Sequence, residues 1–311
     1  MAKFRVFNIQ LLANEDGIKD VGVSGYRKLF SELKKLNSQH LRDSTHTSYH
    51  YPISGDSFFG PKEFHFPAGY VYGNFVRYTK ADQITELRTG KTLYRASRSG
   101  KGVVGVNLIP FAFDTERHLL AIDGAHLPKS EFVIEALIRF LEPIQNQFPD
   151  HELKVNLVSR RNAIEKVFQE AVAYKTVELT LSFRNGPASD DLLQELKDSK
   201  THQVNVKASA GPQGQMSKVP EFIKGLLRAA SSLGWSRVSY FVPADSGGLG
   251  VTKKATFDSR EAPLTFSARH SAADESEETF FARVATKLDE LDIDSETPGE
   301  SESSENQDEA Q

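Results

Sequence analysis

The 311-residue chain contains no cysteine, and that absence removes a whole set of chemistries. A disulfide scaffold, a zinc–thiolate centre, an iron–sulfur cluster and a thiol nucleophile all need thiols. A disulfide-free chain also fits a reducing compartment. Long apolar runs are missing too: no segment approaches the roughly 20 apolar residues of a membrane helix. The opening stretch "MAKFRVFNIQLLANEDG" is too short and too interrupted in its apolar run for a signal peptide. The expected location is therefore the cytoplasm. Catalytic signatures are equally scarce. There is no H-E-x-x-H and no G-x-S-x-G; "ADSGGLG" around Ser246 has the glycines without a strand–turn–helix setting.

Acidic residues are absent in one place where it matters. Between Glu86 and Asp114 there is none, while Arg88, Lys91, Arg95, Arg98 and Lys101 fall in that interval with Tyr94 among them. Basic side chains interleaved with an aromatic on a hairpin suit contact with a phosphate backbone. A solvated basic loop is the plainer alternative. The charge of the whole chain, −4, conceals a larger asymmetry. Residues 274–311 hold 14 Asp and Glu against Arg283 and Lys287, a net −12, so residues 1–273 carry +8. A basic body with an acidic, Ser-rich end points to nucleic acid, or to a partner regulated by charge. The stretch 291–311 has almost no apolar content, so disorder is expected there.

Periodicity gives the organisation. "KFRVFNIQLL" alternates, with Phe4 and Val6 on one side and Phe7, Ile9 and Leu11 on the other, as in a strand covered on both faces. "SGYRKLFSELKKLN" places Tyr26, Leu29, Phe30, Leu33 and Leu36 at helical spacing, with Ser24 as the N-cap. Residues 37–68 show no sustained period and read as a long loop with short extended pieces. Strands are expected over 69–80, at "KTLYRAS" and at "VVGVNLIPFAFD", followed by a hairpin at Asp114–Thr115–Glu116–Arg117 and a helix with Ser130 as its N-cap and Pro143 near its end. From His151 onward strands and helices alternate, through "ELKVNLV", "NAIEKVFQEAV", "TVELTLSF", "SDDLLQELKD", "HQVNVKAS", "VPEFIKGLLRAASSL" and "SRVSYFV". The fold expected is mixed α+β. Residues 1–150 form a ferredoxin-like domain of antiparallel strands with an inserted His-rich loop. Residues 151–270 form a β-α alternating domain, and 271–311 hold a final helix and the acidic tail.

Gly100, Gly102 and Gly105 have the G-x-G-x-x-G spacing of a dinucleotide turn. That turn needs a helix to begin on the glycines so that free N–H groups meet the phosphates. Here "VNLIPFAFD" follows, which contains Pro110 and leads to a hairpin, so the context fails. "RTGKT" lacks the earlier glycine of a phosphate loop and fails likewise. "SRRN" (159–162) stands where a strand meets a helix, and Arg160 and Arg161 could meet a phosphate there. His40, His46, His50 and His65 lie in the irregular first-half stretch. "STHTSYHYP" argues against a helix, and no carboxylate cluster completes a metal site, so polar loop histidines are the simpler account.

"GYRKLFSELKKL", "GYVYGNFVRYTKAD", "NLIPFAFDTERHLLAID" and "VELTLSFRNGP" together resemble a bacterial family carrying a domain of unknown function. The layout is also remotely similar to RexA-like phage-exclusion proteins. That second likeness implies two α/β domains, nucleic acid as partner and a role in antiviral defence. It carries over no catalytic residue. The reading is a non-catalytic nucleic-acid-binding component of a bacterial defence system. It contacts DNA or RNA through Arg88, Lys91, Tyr94, Arg95, Arg98, Lys101, Arg160 and Arg161, with a protein of the same defence system as a further candidate partner. No cofactor and no metal are expected. Two alternatives stand beside it. One is a metal-independent ribonuclease using a loop histidine; the other is an interaction or inhibitor subunit working through the acidic tail.

Overall fold

The computed structural model describes residues 2–14, 18–95, 102–182, 201, 203–211, 214–244, 252–269 and 275–291. The expected helix at "SDDLLQELKD", Arg98, Lys101 and the tail from residue 292 lie outside the described residues.

The alternation of the first strand positions the larger body. β1 (Ala2–Ala13) sends Phe7, Ile9 and Leu11 into one apolar core and Phe4 and Val6 into another. Around it lies an eight-stranded sheet, in which β1 pairs with β8 (Leu119–Asp123) on one edge. The next neighbours outward are β7 (Gly102–Asp114), β4 (Tyr70–Ala81), β3 (Ser57–His65) and β2 (Tyr51–Ser54). The other edge of β1 is shared. β14 (Thr265–Ala268) pairs with Ala2–Arg5, and β9 (His151–Leu157) with Phe7–Ala13. Every pairing is antiparallel, and the sheet curls into half a barrel. Helices α1 (Gly22–Arg42) and α3 (Ser130–Gln145) cover one face, and α6 (Glu277–Asp289) covers part of the other through Phe280, Phe281, Val284 and Leu288. Burying that many aromatic and aliphatic side chains, at roughly 1.5–3 kcal/mol each, is what holds the three layers together.

The smaller body is a four-stranded antiparallel sheet in the order β11-β10-β12-β13, comprising β11 (Gln203–Ser209), β10 (Ala173–Ser182), β12 (Gly234–Pro243) and β13 (Thr252–Asp258). Helices α4 (Arg161–Glu170) and α5 (Glu221–Leu233) pack on it through Ile164, Val167, Leu226, Leu227 and Ala230. A two-stranded ribbon, β5 (Gln83–Thr85) with β6 (Thr92–Arg95), forms a third, separate sheet.

The mixed α+β class and the antiparallel strands match expectation. Several finer expectations do not hold. The strands of residues 1–150 make most of an eight-stranded sheet, larger than a ferredoxin-like plan. "ELKVNLV" joins that sheet as β9 instead of opening the second unit, because its alternating face completes the bare half of β1. Residues 37–68 are not a loop: α1 runs to Arg42, α2 (His46–Tyr49) is a single helical turn, and β2 and β3 follow. The chain beats its local propensity there because Tyr49 is buried and its hydroxyl donates to Phe140 O at 3.1 Å. Neither Ser24 nor Ser130 is an N-cap; α1 starts after Val21 and α3 after Lys129. The hairpin at 114–117 forms, with the Asp114 carboxylate accepting from the backbone N–H of Glu116 (2.8 Å) and Arg117 (3.0 Å). No helix among the described residues is long and apolar enough to cross a membrane.

Candidate nucleic-acid interface

Strand lengths build a projecting arm. β8 pairs with β7 only between Phe111 and Asp114, whereas β4 and β7 stay paired out to Ala81 and Gly102. The part of β7 before Phe111 therefore runs past the end of β8 with one edge open, paired on the other to β4, which β3 still backs as far as Thr79. Only Lys80–Ala81 and Gly102–Val103 extend beyond as two strands. The β5–β6 hairpin follows on from β4. Gly105 (φ +61°) sits where the ladder slips, and Asn107 Nδ2 closes the irregularity by donating to Gly105 O at 2.8 Å. This part of β7 is thus a strand where a dinucleotide turn would need a helix, and Gly102 opens it; Gly100 lies outside the described residues.

The hairpin's turn is ordered by its own polar groups. Glu86 N–H donates to Lys91 O and Gly90 N–H to Glu86 O, both at 2.8 Å, with Gly90 at φ +70°. The Thr89 hydroxyl donates to the Glu86 carboxylate. On the strands, Gln83 donates to Thr85 (2.8 Å) and Thr92 (3.2 Å) and accepts from Arg95 at 3.1 Å. This turn and its strands carry Arg88, Lys91 and Arg95 in exposed positions, Arg88 within 3.9 Å of Glu86. They also carry exposed apolar side chains: Ile84, Leu93 and, most of all, Leu87, whose relative accessibility is 101%. Tyr94 is different. A Cβ on Gly102 would fall 2.7 Å from its ring, so the tyrosine lies across that glycine against β7.

Arg160 ends elsewhere. It precedes α4 in extended conformation, its N–H donates to Ala262 O at 2.9 Å, and its guanidinium donates to Thr265 Oγ1 at 3.1 Å. It lines a cleft of about 620 Å³ with Lys3, Arg5, Asp123 and Glu261. Arg161 is the first residue of α4. The register connects cleft and arm. Phe4 stands opposite Asp123, where β8 ends, and that is the end past which β7, β4 and β3 continue. Arg77 on β4 donates to His126 O at 3.4 Å, tying the base of the arm to the segment that follows Asp123 and Gly124 of the cleft wall. Lys3 and Arg5 were not singled out from the sequence. Their signal is slight: two cations at the start of a strand that is otherwise apolar except for Asn8 and Gln10.

His50 and His40 take structural positions, and His65 lies exposed at the end of β3. His50 is buried between Tyr78, 3.0 Å from Nδ1, and Asn37 Oδ1, 3.0 Å from Nε2. Nε2–H donates to the amide oxygen and Nδ1 accepts from the phenol, so the neutral ring is satisfied at both nitrogens. Gly60 makes room for it, since a Cβ there would lie 2.3 Å from the ring. Burial pushes the His50 imidazolium down to about 3, and His46, His40 and Lys62 nearby act in the same direction. His40 stacks on Tyr49 and its Nδ1 lies 2.8 Å from Thr45 Oγ1. Among the described residues, no three His, Asp or Glu approach closely enough to hold a metal ion.

His50 has a consequence for stability. The unfolded chain takes up a proton near pH 6.5, and the folded chain refuses it until about pH 3. The neutral-ring packing is fully retained above pH 6.5, and stability falls as pH drops through the interval between the two values, at about 1.4 kcal/mol per pH unit for one proton. His118, also lowered by burial, adds to the same trend. Urea unfolding between pH 7 and pH 5 should show this slope and a shallower one in His50→Gln. Equal slopes would show that His50 is protonated in the folded protein.

Residues 2–286 match the sequence profile of a family described as a domain of unknown function, DUF4747, and the chain belongs to that family. The match spans β1 to the last turn of α6, so it contains both sheets, the arm and the cleft. No curated protein matches the chain.

Proposed function

We propose that the protein binds nucleic acid through the end of the large sheet where arm and cleft adjoin, holding the phosphate backbone without itself carrying out a reaction. The observation that carries this reading is the arm's composition in its structural setting. Arg88, Lys91 and Arg95 stand exposed on an ordered hairpin, separate from both larger sheets, whose acids are Glu86 in the turn and Asp82 at its foot, the latter 3.6 Å from Lys80. Exposed cations on such a hairpin suit a polyanion better than a small ligand, because each gains by displacing counterions from successive phosphates. Lys3, Arg5 and Arg160 extend the positive surface to the cleft, although Asp123 and Glu261 temper it there. Arg98 and Lys101, by sequence between β6 and β7, belong to the same proposal. A place in bacterial antiviral defence rests on the remote resemblance of the sequence layout to RexA-like proteins alone, and the family match adds nothing to it. Equilibrium binding of labelled DNA and RNA over a salt series tests the reading. Affinity falling steadily with salt supports it, and no binding at low ionic strength overturns it.

A further inference from the structure

The arm carries more than charge. Among the described residues, seven large hydrophobic side chains stand exposed between residues 84 and 108: Ile84, Leu87, Leu93, Tyr94, Val103, Val106 and Leu108. Four of them stand on the β5–β6 hairpin and three on the open edge of β7 that it leads into, and apolar groups concentrated in this way signal a contact surface. Leu87 is the extreme case, with no shielding at all, at the tip of a turn pinned by the Glu86, Thr89 and Gly90 hydrogen bonds. Arg88 follows it directly, and Lys91 closes the same turn.

Three occupants could bury such a tip. A second copy of the arm would bring Arg88, Lys91 and Arg95 against their own duplicates, so like charges oppose self-pairing. A single strand is held by successive bases stacking on several aromatic faces, but the arm offers one aromatic, Tyr94, and one side of its ring lies over Gly102 on β7. A duplex offers both of the surfaces the tip requires: phosphates flanking a groove, and an apolar interior at a base step. Apolar side chains wedged from the minor groove unstack such steps and kink the helix.

Resting on the nucleic-acid reading above, we infer that the partner is a double-stranded nucleic acid and that Leu87 is a wedge that enters a base step and bends it. Arg88, Lys91 and Arg95 would then hold the phosphates on either side of the kink. Because Leu87 makes no packing contribution to the fold, its replacement removes the wedge and leaves the cations in place.

Energy transfer between dyes on the two ends of a short duplex tests this. The intact protein should raise transfer, corresponding to a kink of roughly 20–90°. Leu87→Ser should bind with a similar salt dependence, within about tenfold in affinity, and leave transfer at the value of free duplex. Binding without bending, bending that persists in Leu87→Ser, or binding confined to single strands would overturn the wedge and leave the nucleic-acid reading standing. Failure to bind any nucleic acid would overturn both. Concentration-dependent self-association that Leu87→Ser abolishes, in a protein without duplex bending, would assign the tip to a second copy of the chain.

Discussion

Arg88→Glu, Lys91→Glu and Arg95→Glu together should weaken nucleic-acid binding on the order of a hundredfold at low salt. All three side chains are exposed. Among the described residues, their side-chain partners are Glu86, 3.9 Å from Arg88, and Gln83, 3.1 Å from Arg95. Reversal therefore costs the fold little, since exposed pairs of this sort contribute about 0–1 kcal/mol. It removes up to three phosphate contacts and substitutes repulsion for each. The slope of log affinity against log salt should flatten by about 0.7–0.9 for each phosphate no longer neutralised. Reversing Lys35, Lys166 and Lys207 changes the net charge equally but touches α1, α4 and β11. That variant separates a local arm effect from a general charge effect. An arm reversal no worse than this control would mean that the arm is not the contact surface.

Gly73→Ala should be among the most destabilising single-methyl additions in the chain. Gly73 lies opposite Phe64 in the β3–β4 ladder, beside the slip between Pro61 and Glu63. An added Cβ would fall 1.8 Å from the Glu63 carbonyl oxygen and 3.1 Å from Phe64 Cα. These are backbone atoms in the middle of the large sheet, so no side chain can swing aside. Relief requires the two strands to part, and the expected cost is about 3 kcal/mol or more. A melting temperature lower by roughly 5–10 °C would follow for a chain of this size. Gly55→Ala gives the contrast. Gly55 has φ +50°, but a methyl group added there would meet nothing within 4 Å, so only backbone strain of about 1 kcal/mol is at stake. If the two variants melt alike, the close approach at Gly73 is not what the strand pairing depends on.

How far the fold was legible follows the reach of each signal. The double-faced alternation of Phe4 to Leu11, the helical spacing of Tyr26 to Leu33 and the Asp114 turn are all local, and each forms as its period implies. The stretch 37–68 was not legible, because Tyr49 and His50 hold their turn through Phe140, Asn37 and Tyr78, partners distant in sequence. The alternation of strand and helix after His151 was legible as elements but not as pairing. β9 leaves for β1, and β10 inserts between β11 and β12, so the helix α5 joins two strands that never touch each other. In the site, the cations of the arm were visible as a run without acid. The joining of arm and cleft was not, because it depends on where β8 stops relative to β7. The exposure of Leu87 was hidden for a similar reason: in sequence it is one leucine between Glu86 and Arg88.

The most direct test of the central claim is to map where nucleic acid touches the protein. Photocrosslinking to a duplex containing reactive bases, followed by identification of the attached peptides, should place adducts in residues 83–95. Weaker adducts should fall at the cleft around Lys3, Arg5 and Arg160. Adducts confined instead to β11 and β13 of the small sheet, where Lys207 and Lys254 are exposed, would contradict the claim.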